Sequence, residues 1–232
     1  MNKKSVFLIP LLAILLFAVG CKKKVSYVNS EKVVQENIFQ YYKVSYQSEN
    51  KQFTVKAVFT VDHQTGDIIR LTDDSKVLFN NDELSVTINE TECVYEKKYD
   101  GELPATLLFN YTNNNDSTFT NKLILRPFEI KQESIILQKG EENAISFSGK
   151  KFGPLESVVC QLMQEGKETI EIEVSPEEKE IIIYREFLDG IQPGNYTGYF
   201  IRKNYENDIQ AMDRGGLWET EYISTKKQIK IQ

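Results

Sequence analysis

From residue 35 onward, the sequence consists of short runs in which apolar and polar residues alternate, with turn-forming clusters between them. A period of two is the pattern of a strand that buries one face. In the run 53–60, apolar side chains occupy every second position: Phe53, Val55, Ala57 and Phe59. Many short strands with close turns predict an all-β fold built from antiparallel β-sandwiches.

The runs form two series that meet at residues 126–133. Each series has about seven or eight strands in about 100 residues, which is enough for one sandwich. We therefore predict an N-terminal β-sandwich over 35–127 and a C-terminal immunoglobulin-like one over 128–232, and a single larger sandwich is the alternative. Only Ser30 to Glu36 has a helical pattern, with Ser30 as the N-cap.

Residues 191–196, Ile-Gln-Pro-Gly-Asn-Tyr, precede one of the last predicted strands. They resemble the Leu-x-Pro-Gly-x-Tyr segment of immunoglobulin-like and fibronectin III-like domains. In those domains the tyrosine hydroxyl bonds back to nearby backbone, an arrangement called a tyrosine corner. The resemblance implies tandem immunoglobulin-like sandwiches, with Tyr196 in the corner, and implies nothing about activity.

The first half resembles, in the pattern from Phe53 to Asn80 and at Tyr95, the immunoglobulin-like domains of uncharacterised Bacteroidetes-type lipoproteins. The likeness extends over about 75 residues and has no diagnostic motif. It implies a β-sandwich protein that is anchored to the outer membrane.

The first 20 residues have the layout of a secretory signal peptide. Lys3 and Lys4 precede an apolar run from Val6 to Val19, which is shorter than the roughly 20 residues that span a bilayer. Residues 17–21, Phe-Ala-Val-Gly-Cys, resemble a bacterial lipobox, which implies that Cys21 is acylated and becomes the new N-terminus. Two or more acyl chains would anchor the protein durably in a membrane.

Residues 21–34 would then be a lipidated tether, in which Lys22, Lys23 and Lys24 lie against lipid headgroups or simply stay solvated. Surface-exported lipoproteins of such bacteria usually have acidic residues here, so three lysines favour the periplasmic face of the outer membrane. The mature chain keeps 26 basic and 34 acidic residues, a net charge of −8, because Lys3 and Lys4 are removed. An acidic exported chain predicts no nucleic-acid partner.

The residues that usually perform catalysis are scarce, and we predict no enzyme, cofactor or metal site. His63 is the only histidine and lies in a polar turn, where a solvated side chain is the ordinary outcome. Cys93 and Cys160 lie in apolar runs and are predicted to be buried free thiols rather than a disulfide. Oxygen-rich loops at 73–74, 80–83 and 113–116 lack the spacing of a calcium loop.

Two segments are candidate sites. Residues 116–118, Asp-Ser-Thr, resemble an O-glycosylation signal of Bacteroidetes-type bacteria, which implies modification of Ser117. Residues 204–218 form a predicted 15-residue loop, and long ordered loops are often functional. This candidate binding loop contains residue types that are enriched at binding hot spots: Tyr205, Met212, Arg214 and Trp218. The alternative is that Trp218 plugs the end of the core.

These observations predict a membrane-anchored lipoprotein that acts as a non-catalytic binding or structural module of the cell envelope, with a protein or glycan partner. One alternative is an envelope hydrolase, or a hydrolase accessory protein, whose carboxylate pair cannot be selected among 34 acidic residues. The other is a surface fibre subunit, although the segment 226–232 has the pattern of a normal closing strand.

Overall fold

The computed structural model describes residues 27–89 and 92–232. Within them the fold is all-β, with one short α-helix, α1 (Arg185–Leu188). The predicted signal peptide, Cys21 and the three lysines after it lie outside the described residues. No helix in the described ranges is long and apolar enough to cross a membrane.

The first half contributes ten strands in chain order: β1 (Tyr27–Asn29), β2 (Ile38–Gln47), β3 (Gln52–Val61), β4 (Ile68–Arg70), β5 (Lys76–Phe79), β6 (Asp82–Glu83), β7 (Ser85–Ile88), β8 (Cys93–Asp100), β9 (Leu107–Thr112) and β10 (Thr118–Leu123). The second half contributes nine: β11 (Phe128–Ile130), β12 (Ser134–Leu137), β13 (Asn143–Gly149), β14 (Glu156–Met163), β15 (Ile170–Pro176), β16 (Glu180–Ile183), β17 (Gly194–Glu206), β18 (Gly216–Ile223) and β19 (Lys227–Ile231).

The predicted helix at residues 30–36 is wrong. The chain instead makes two separate 3-10 turns, Ser30–Lys32 and Gln35–Asn37, because Val33 and Val34 between them are extended. Ser30 does not cap a helix. Its hydroxyl accepts a hydrogen bond from the Thr72 backbone N–H at 2.9 Å and anchors this segment to the body of the first half.

The first half is a sandwich of two antiparallel sheets. One sheet has the order β7-β8-β3-β2 and the other has the order β10-β9-β5-β6. Aromatic side chains fill the space between them, with ring centroids 4.6 Å apart for Tyr42 and Phe109 and 4.5 Å apart for Phe59 and Tyr111. Burial of such rings removes a large apolar area from water and stabilises this sandwich.

The second half is also a sandwich. One side has the strand order β15-β14-β17, with β18 and β19 also paired to β17, and the other side has the order β11-β13-β16. The predicted tyrosine corner is confirmed, because the Tyr196 hydroxyl donates a hydrogen bond of 2.7 Å to the Gln192 carbonyl. The last strand, β19, pairs with β17 on one side and with β12 on the other. It closes its own sandwich, as the sequence pattern predicts.

The two halves share one sheet. The predicted boundary lies between β10 and β11, yet β18 of the second half pairs in parallel with β2 of the first. The register runs from Gly216 opposite Gln40 to Ile223 opposite Gln47. A continuous sheet therefore crosses the molecule in the order β7-β8-β3-β2-β18-β17-β14-β15.

Side-chain contacts reinforce this junction. The Tyr46 and Tyr222 rings lie 5.3 Å apart, centroid to centroid, one from each half. Glu129 of β11 accepts hydrogen bonds from Ser48 in the first half and, at 2.8 Å, from Tyr222 in the second. The Thr220 hydroxyl donates a hydrogen bond of 2.8 Å to the carbonyl of Ile124 in the connecting segment. These contacts hold the two sandwiches in one relative orientation.

A buried ion pair lies in the second half beside the connecting segment. Arg202 is only 2% exposed, and its guanidinium contacts both carboxylate oxygens of Glu156, at 3.0 and 2.7 Å. The same guanidinium donates to the carbonyls of Lys150 and Lys151, while Arg126 of the connecting segment contacts Glu156 at 3.0 Å. The buried charges are thus paired and hydrogen-bonded, as burial requires.

Candidate functional site

One face of the continuous sheet points away from both cores. Side chains at alternate positions of β2 and β18 enter the core, and those between them face outward. One row of register partners crosses six strands, about 24 Å at the usual strand spacing. From β7 to β17, this row is Ser85, Glu96, Lys56, Lys43, Glu219 and Tyr205. We call this surface the open face.

The centre of the open face is a network of charges at the junction of the halves. The Lys43 ammonium lies 3.1 Å from Glu219 and 2.9 Å from Glu221. Tyr41 donates a hydrogen bond of 2.8 Å to Glu219, and Ser45 donates one of 2.6 Å to Glu221. The carboxylates come from β18 and their partners from β2, so the network exists only where the two strands pair.

The network keeps Glu221 and Lys43 charged over a wide pH range. Burial alone would raise the pKa of Glu221, but hydrogen bonds from Ser45 and Lys43 hold that pKa below its ordinary value. Burial alone would lower the pKa of Lys43, but the two carboxylates raise it above its ordinary value. Burial and the Glu219 carboxylate raise the pKa of Tyr41, which therefore stays protonated as a donor.

Glu219 and Glu221 form a carboxylate pair on the open face against which the hydrolase alternative can be tested. A general acid of a glycosidase needs a raised pKa, so that it carries a proton near neutral pH. The pKa of Glu221 is lowered instead, and one ammonium bridges the two carboxylates. This arrangement suits a permanently ionised hydrogen-bonding surface better than acid catalysis.

A groove of about 790 Å³ runs along the open face beside this network. Hydroxyl, amide, ammonium and carboxylate groups line it: Lys43, Ser45, Gln47, Gln52, Thr54, Lys56, Ser85, Thr87, Glu96, Lys97, Lys98 and Glu221, together with Ile223. A second recess of about 370 Å³ adjoins the groove, because Gln47 and Ile223 line both. The surface offers both donors and acceptors over much of its length.

The predicted 15-residue loop is shorter than expected. Tyr205 belongs to β17 and Trp218 to β18, so only residues 207–215 are irregular. Trp218 is 5% exposed and packs in the core, which is the second of the two alternatives for this residue. Tyr205 is 39% exposed on the open face, opposite Glu219 in the strand register.

The remaining loop residues dock against the first half. Arg214 lies 3.1 Å from Asp62, and Met212 is half-buried in the turn that leads to β18. The Gln210 backbone N–H donates a hydrogen bond of 2.7 Å to the side-chain oxygen of Asn121 on β10. The Asn121 amide nitrogen in turn donates a hydrogen bond of 3.0 Å to the Gln210 carbonyl. Of the four residues predicted for the binding loop, the structure thus brings only Tyr205 to the open face. The sequence pattern did not single out the other side chains of the open face, such as Lys43 and Glu221.

The other predicted residues occupy distinct places. Ser117 is exposed at the tip of the β9–β10 hairpin, a position open to modification. Cys93 and Cys160 are buried free thiols, as predicted, and burial raises the pKa of Cys160 to about 12. His63 is exposed in the turn after β3, with its ring nitrogen 3.2 Å from the Thr65 hydroxyl.

Two of the three oxygen-rich loops converge. Asp73 and Asp74 lie with Asn114 and Asn115 around a shallow, open depression that Glu31 also lines. Across residues 27–89 and 92–232, no three His, Cys, Asp or Glu side chains group closely enough to hold a metal ion.

No family model matches the chain, and no curated protein matches it. Several solved structures match most of its length. Bacteroides ovatus SGBP-B of the mixed-linkage glucan utilization locus, in complex with a mixed-linkage heptasaccharide, is 8% identical over 91% of this chain and 67% of that chain, with a TM-score of 0.26. The fibronectin(III)-like modules of Clostridium thermocellum CbhA are 10% identical over 82% of this chain and 92% of theirs, with a TM-score of 0.22.

Fibronectin domains of chicken CNTN1 are 10% identical over 82% of this chain and 64% of that chain, with a TM-score of 0.25. All these TM-scores lie below 0.5. The all-β sandwich assignment therefore rests on the sheets and on the tyrosine corner of this chain itself.

Proposed function

We propose that this protein is a membrane-anchored lipoprotein of the bacterial cell envelope that binds a glycan on its open face without catalysis. The groove of about 790 Å³ beside the junction of the two halves carries this proposal. Its walls offer hydroxyl and amide groups that act as both donor and acceptor, which is the chemistry that sugar hydroxyls require. Rigid strands hold these groups in place, which lowers the entropy cost of binding.

The charges of the open face favour a glycan over a protein partner. Interface cores between proteins are depleted of charged residues. Here Lys43, Glu219 and Glu221 stand in the middle of the surface, and Lys56 pairs with Glu96 at 3.3 Å beside them. Covering these paired charges with an apolar protein surface would remove their hydration without new partners, whereas sugar hydroxyls and their bound waters can replace it.

The anchor part of the proposal rests on residues 1–24 of the sequence. The apolar run that ends at Val19 is followed by Gly20 and Cys21, and then by three lysines. Acyl chains on Cys21 would hold the sandwiches at the outer membrane, on its periplasmic face. Tethering would keep the open face close to envelope polysaccharides and raise the effective concentration of binding sites.

A blocking variant tests the binding face. Thr54→Arg places a long side chain in the groove, and Tyr205→Ala removes the exposed ring of the open face. We expect each to weaken binding at least about tenfold to glycans that the soluble mature chain binds on an array. Thr118→Arg, on the opposite sheet, is the matched control and should leave binding unchanged. Binding that survives both open-face variants would rule out this surface.

A processing variant tests the anchor. Cys21→Ala should abolish incorporation of radiolabelled palmitate and leave the protein unprocessed or soluble after cell fractionation. The wild-type protein should fractionate with the outer membrane and resist protease added to intact cells. Unchanged membrane fractionation of Cys21→Ala would rule out the lipid anchor, and digestion by external protease would place the protein on the cell surface instead.

A further inference from the structure

A second recess lies where the two halves meet at the end of the groove. Its volume is about 370 Å³, which falls within the range of small-ligand pockets. The last residue of β2 supplies Gln47 and the turn after it supplies Glu49 and Asn50. The second half supplies Gln161, Tyr199, Ile223 and Ser224. Neither half forms the recess alone, and boundaries between domains are frequent places for ligand sites.

Hydrogen bonds hold the lining side chains in place. The Asn50 amide donates to the Gln47 side chain at 3.0 Å, and the Gln161 amide donates to Glu171 at 2.8 Å. The Tyr199 hydroxyl donates to Glu49 at 3.3 Å, which connects the two halves across the recess. Side chains that are already ordered lose little entropy when a ligand arrives, so a small polar ligand gains affinity from them.

The chemistry of the recess selects one class of ligand. It is lined by three amides, two hydroxyls, those of Tyr199 and Ser224, and one aliphatic side chain, and its only acidic or basic side chain is Glu49. An anionic ligand would meet this carboxylate with no cation to offset it. A ligand with hydroxyls around its edge and an apolar C–H face would satisfy the amides and pack on the Tyr199 ring.

We propose that this recess is a subsite for one uncharged pyranose unit of a glycan chain that continues into the groove. The proposal rests on the function proposed above, because Gln47 and Ile223 line both the recess and the groove. The recess gives selectivity for neutral over acidic glycans, and the groove supplies the remaining contacts.

Calorimetric titration of the soluble mature chain with neutral oligosaccharides and with oligogalacturonate tests the subsite. We expect neutral oligosaccharides to bind and the acidic one to bind at least about tenfold more weakly. Gln161→Ala and Tyr199→Ala should each lower the affinity for the neutral ligand about tenfold. Gln64→Ala, an exposed amide in the turn after β3 and therefore at the end of that strand opposite the recess, is the matched control and should have no effect. Circular dichroism of each variant reports whether it is folded.

The outcomes separate the two proposals. If Thr54→Arg weakens binding but the folded recess variants do not, the subsite is wrong and the glycan-binding face stands. If oligogalacturonate binds as tightly as neutral ligands, the selectivity is wrong. If neither the groove variant nor the recess variants change the affinity, or if only peptides bind, both proposals fail.

Discussion

Ser45 donates a hydrogen bond of 2.6 Å to Glu221, although 176 positions separate the two residues in the chain. Ser45 lies on β2 of the first half and Glu221 on β18 of the second. This bond and the Lys43 ion pairs tie the halves together on the open face. The stability of the molecule should therefore respond to the titration of these groups.

The network predicts a pH dependence of the free energy of unfolding. The pKa of Glu221 is lower in the folded state than its ordinary value of 4.5, so its contribution is present above that value and is lost as pH falls through the folded pKa. The pKa of Lys43 is raised above 10.5, so its contribution is present below that value and is lost as pH rises through the folded pKa. Glu221→Gln should cost about 1–2 kcal/mol at pH 7 and progressively less as pH falls through the folded pKa of Glu221. Urea unfolding at a series of pH values from 7 downward measures this change, and a cost that does not fall with pH would contradict it.

The buried pair of Arg202 and Glu156 predicts a large loss of stability. Glu156→Gln leaves the guanidinium buried without its carboxylate, which should cost about 3–5 kcal/mol in urea unfolding. Glu178→Gln breaks only the exposed pair with Lys151 and is the matched control, for which we expect no measurable change. Similar effects of the two variants would mean that the buried pair is not important for stability.

The tyrosine corner predicts a smaller and specific effect. Tyr196→Phe keeps the ring and removes only the hydroxyl that donates to Gln192, so it should lower the free energy of unfolding by about 0.5–1.5 kcal/mol. Tyr184→Phe is the control, because the Tyr184 ring packs against Phe187 while its hydroxyl makes no hydrogen bond within residues 27–89 and 92–232. A Tyr196→Phe variant as stable as the wild type would show that the corner is dispensable.

The position of Trp218 predicts that its loss affects folding rather than recognition. Trp218→Ala should cost about 3–5 kcal/mol, because it leaves a cavity where β18 meets β2. Leu217→Ala, half-buried on the other side of the same strand, should cost clearly less. Thermal unfolding followed by circular dichroism gives both values. Weakened glycan binding with unchanged stability would instead place Trp218 in the binding surface.

The burial of Cys93 and Cys160 predicts that their thiols react slowly with thiol reagents in the folded protein. Cys160 is fully buried and burial raises its pKa to about 12, so little thiolate forms near neutral pH. A thiol-specific chromophoric reagent should therefore react with Cys93 and Cys160 only after denaturation. In a soluble chain that lacks Cys21, rapid reaction of the native protein would show that one of these strands opens readily.

Much of the fold could be predicted because its signal is local. Alternation at Phe53, Val55, Ala57 and Phe59 marks β3, since each apolar residue buries the same face. The segment before Tyr196 marks the tyrosine corner, since a Pro-Gly turn determines how the chain enters β17. Isolated cysteines in apolar runs indicate buried thiols for the same local reason.

Of the two strands that join the halves, the sequence pattern does not predict β2 and predicts only the last part of β18, from Glu221. In β2, aromatic residues face both ways, with Tyr42 in the core and Tyr41 on the open face, so the alternation of period two is masked. The first part of β18 follows Gly215 and was assigned to a loop, although Trp218 alternates there with Glu219. Both segments are strands because they pair with each other, and no local pattern reports that pairing.

The candidate site depends on the same pairing. The sequence by itself determined an all-β chain with few catalytic residue types and apolar faces for two sandwiches, because these features depend on neighbouring residues. The tertiary structure decided that Lys43 meets Glu219 and Glu221 on one continuous sheet, and that Trp218 lies in the core while Tyr205 faces outward. The contacts of Lys43 with Glu219 and Glu221 join residues 176 and 178 positions apart, and only the pairing of β2 with β18 brings them together.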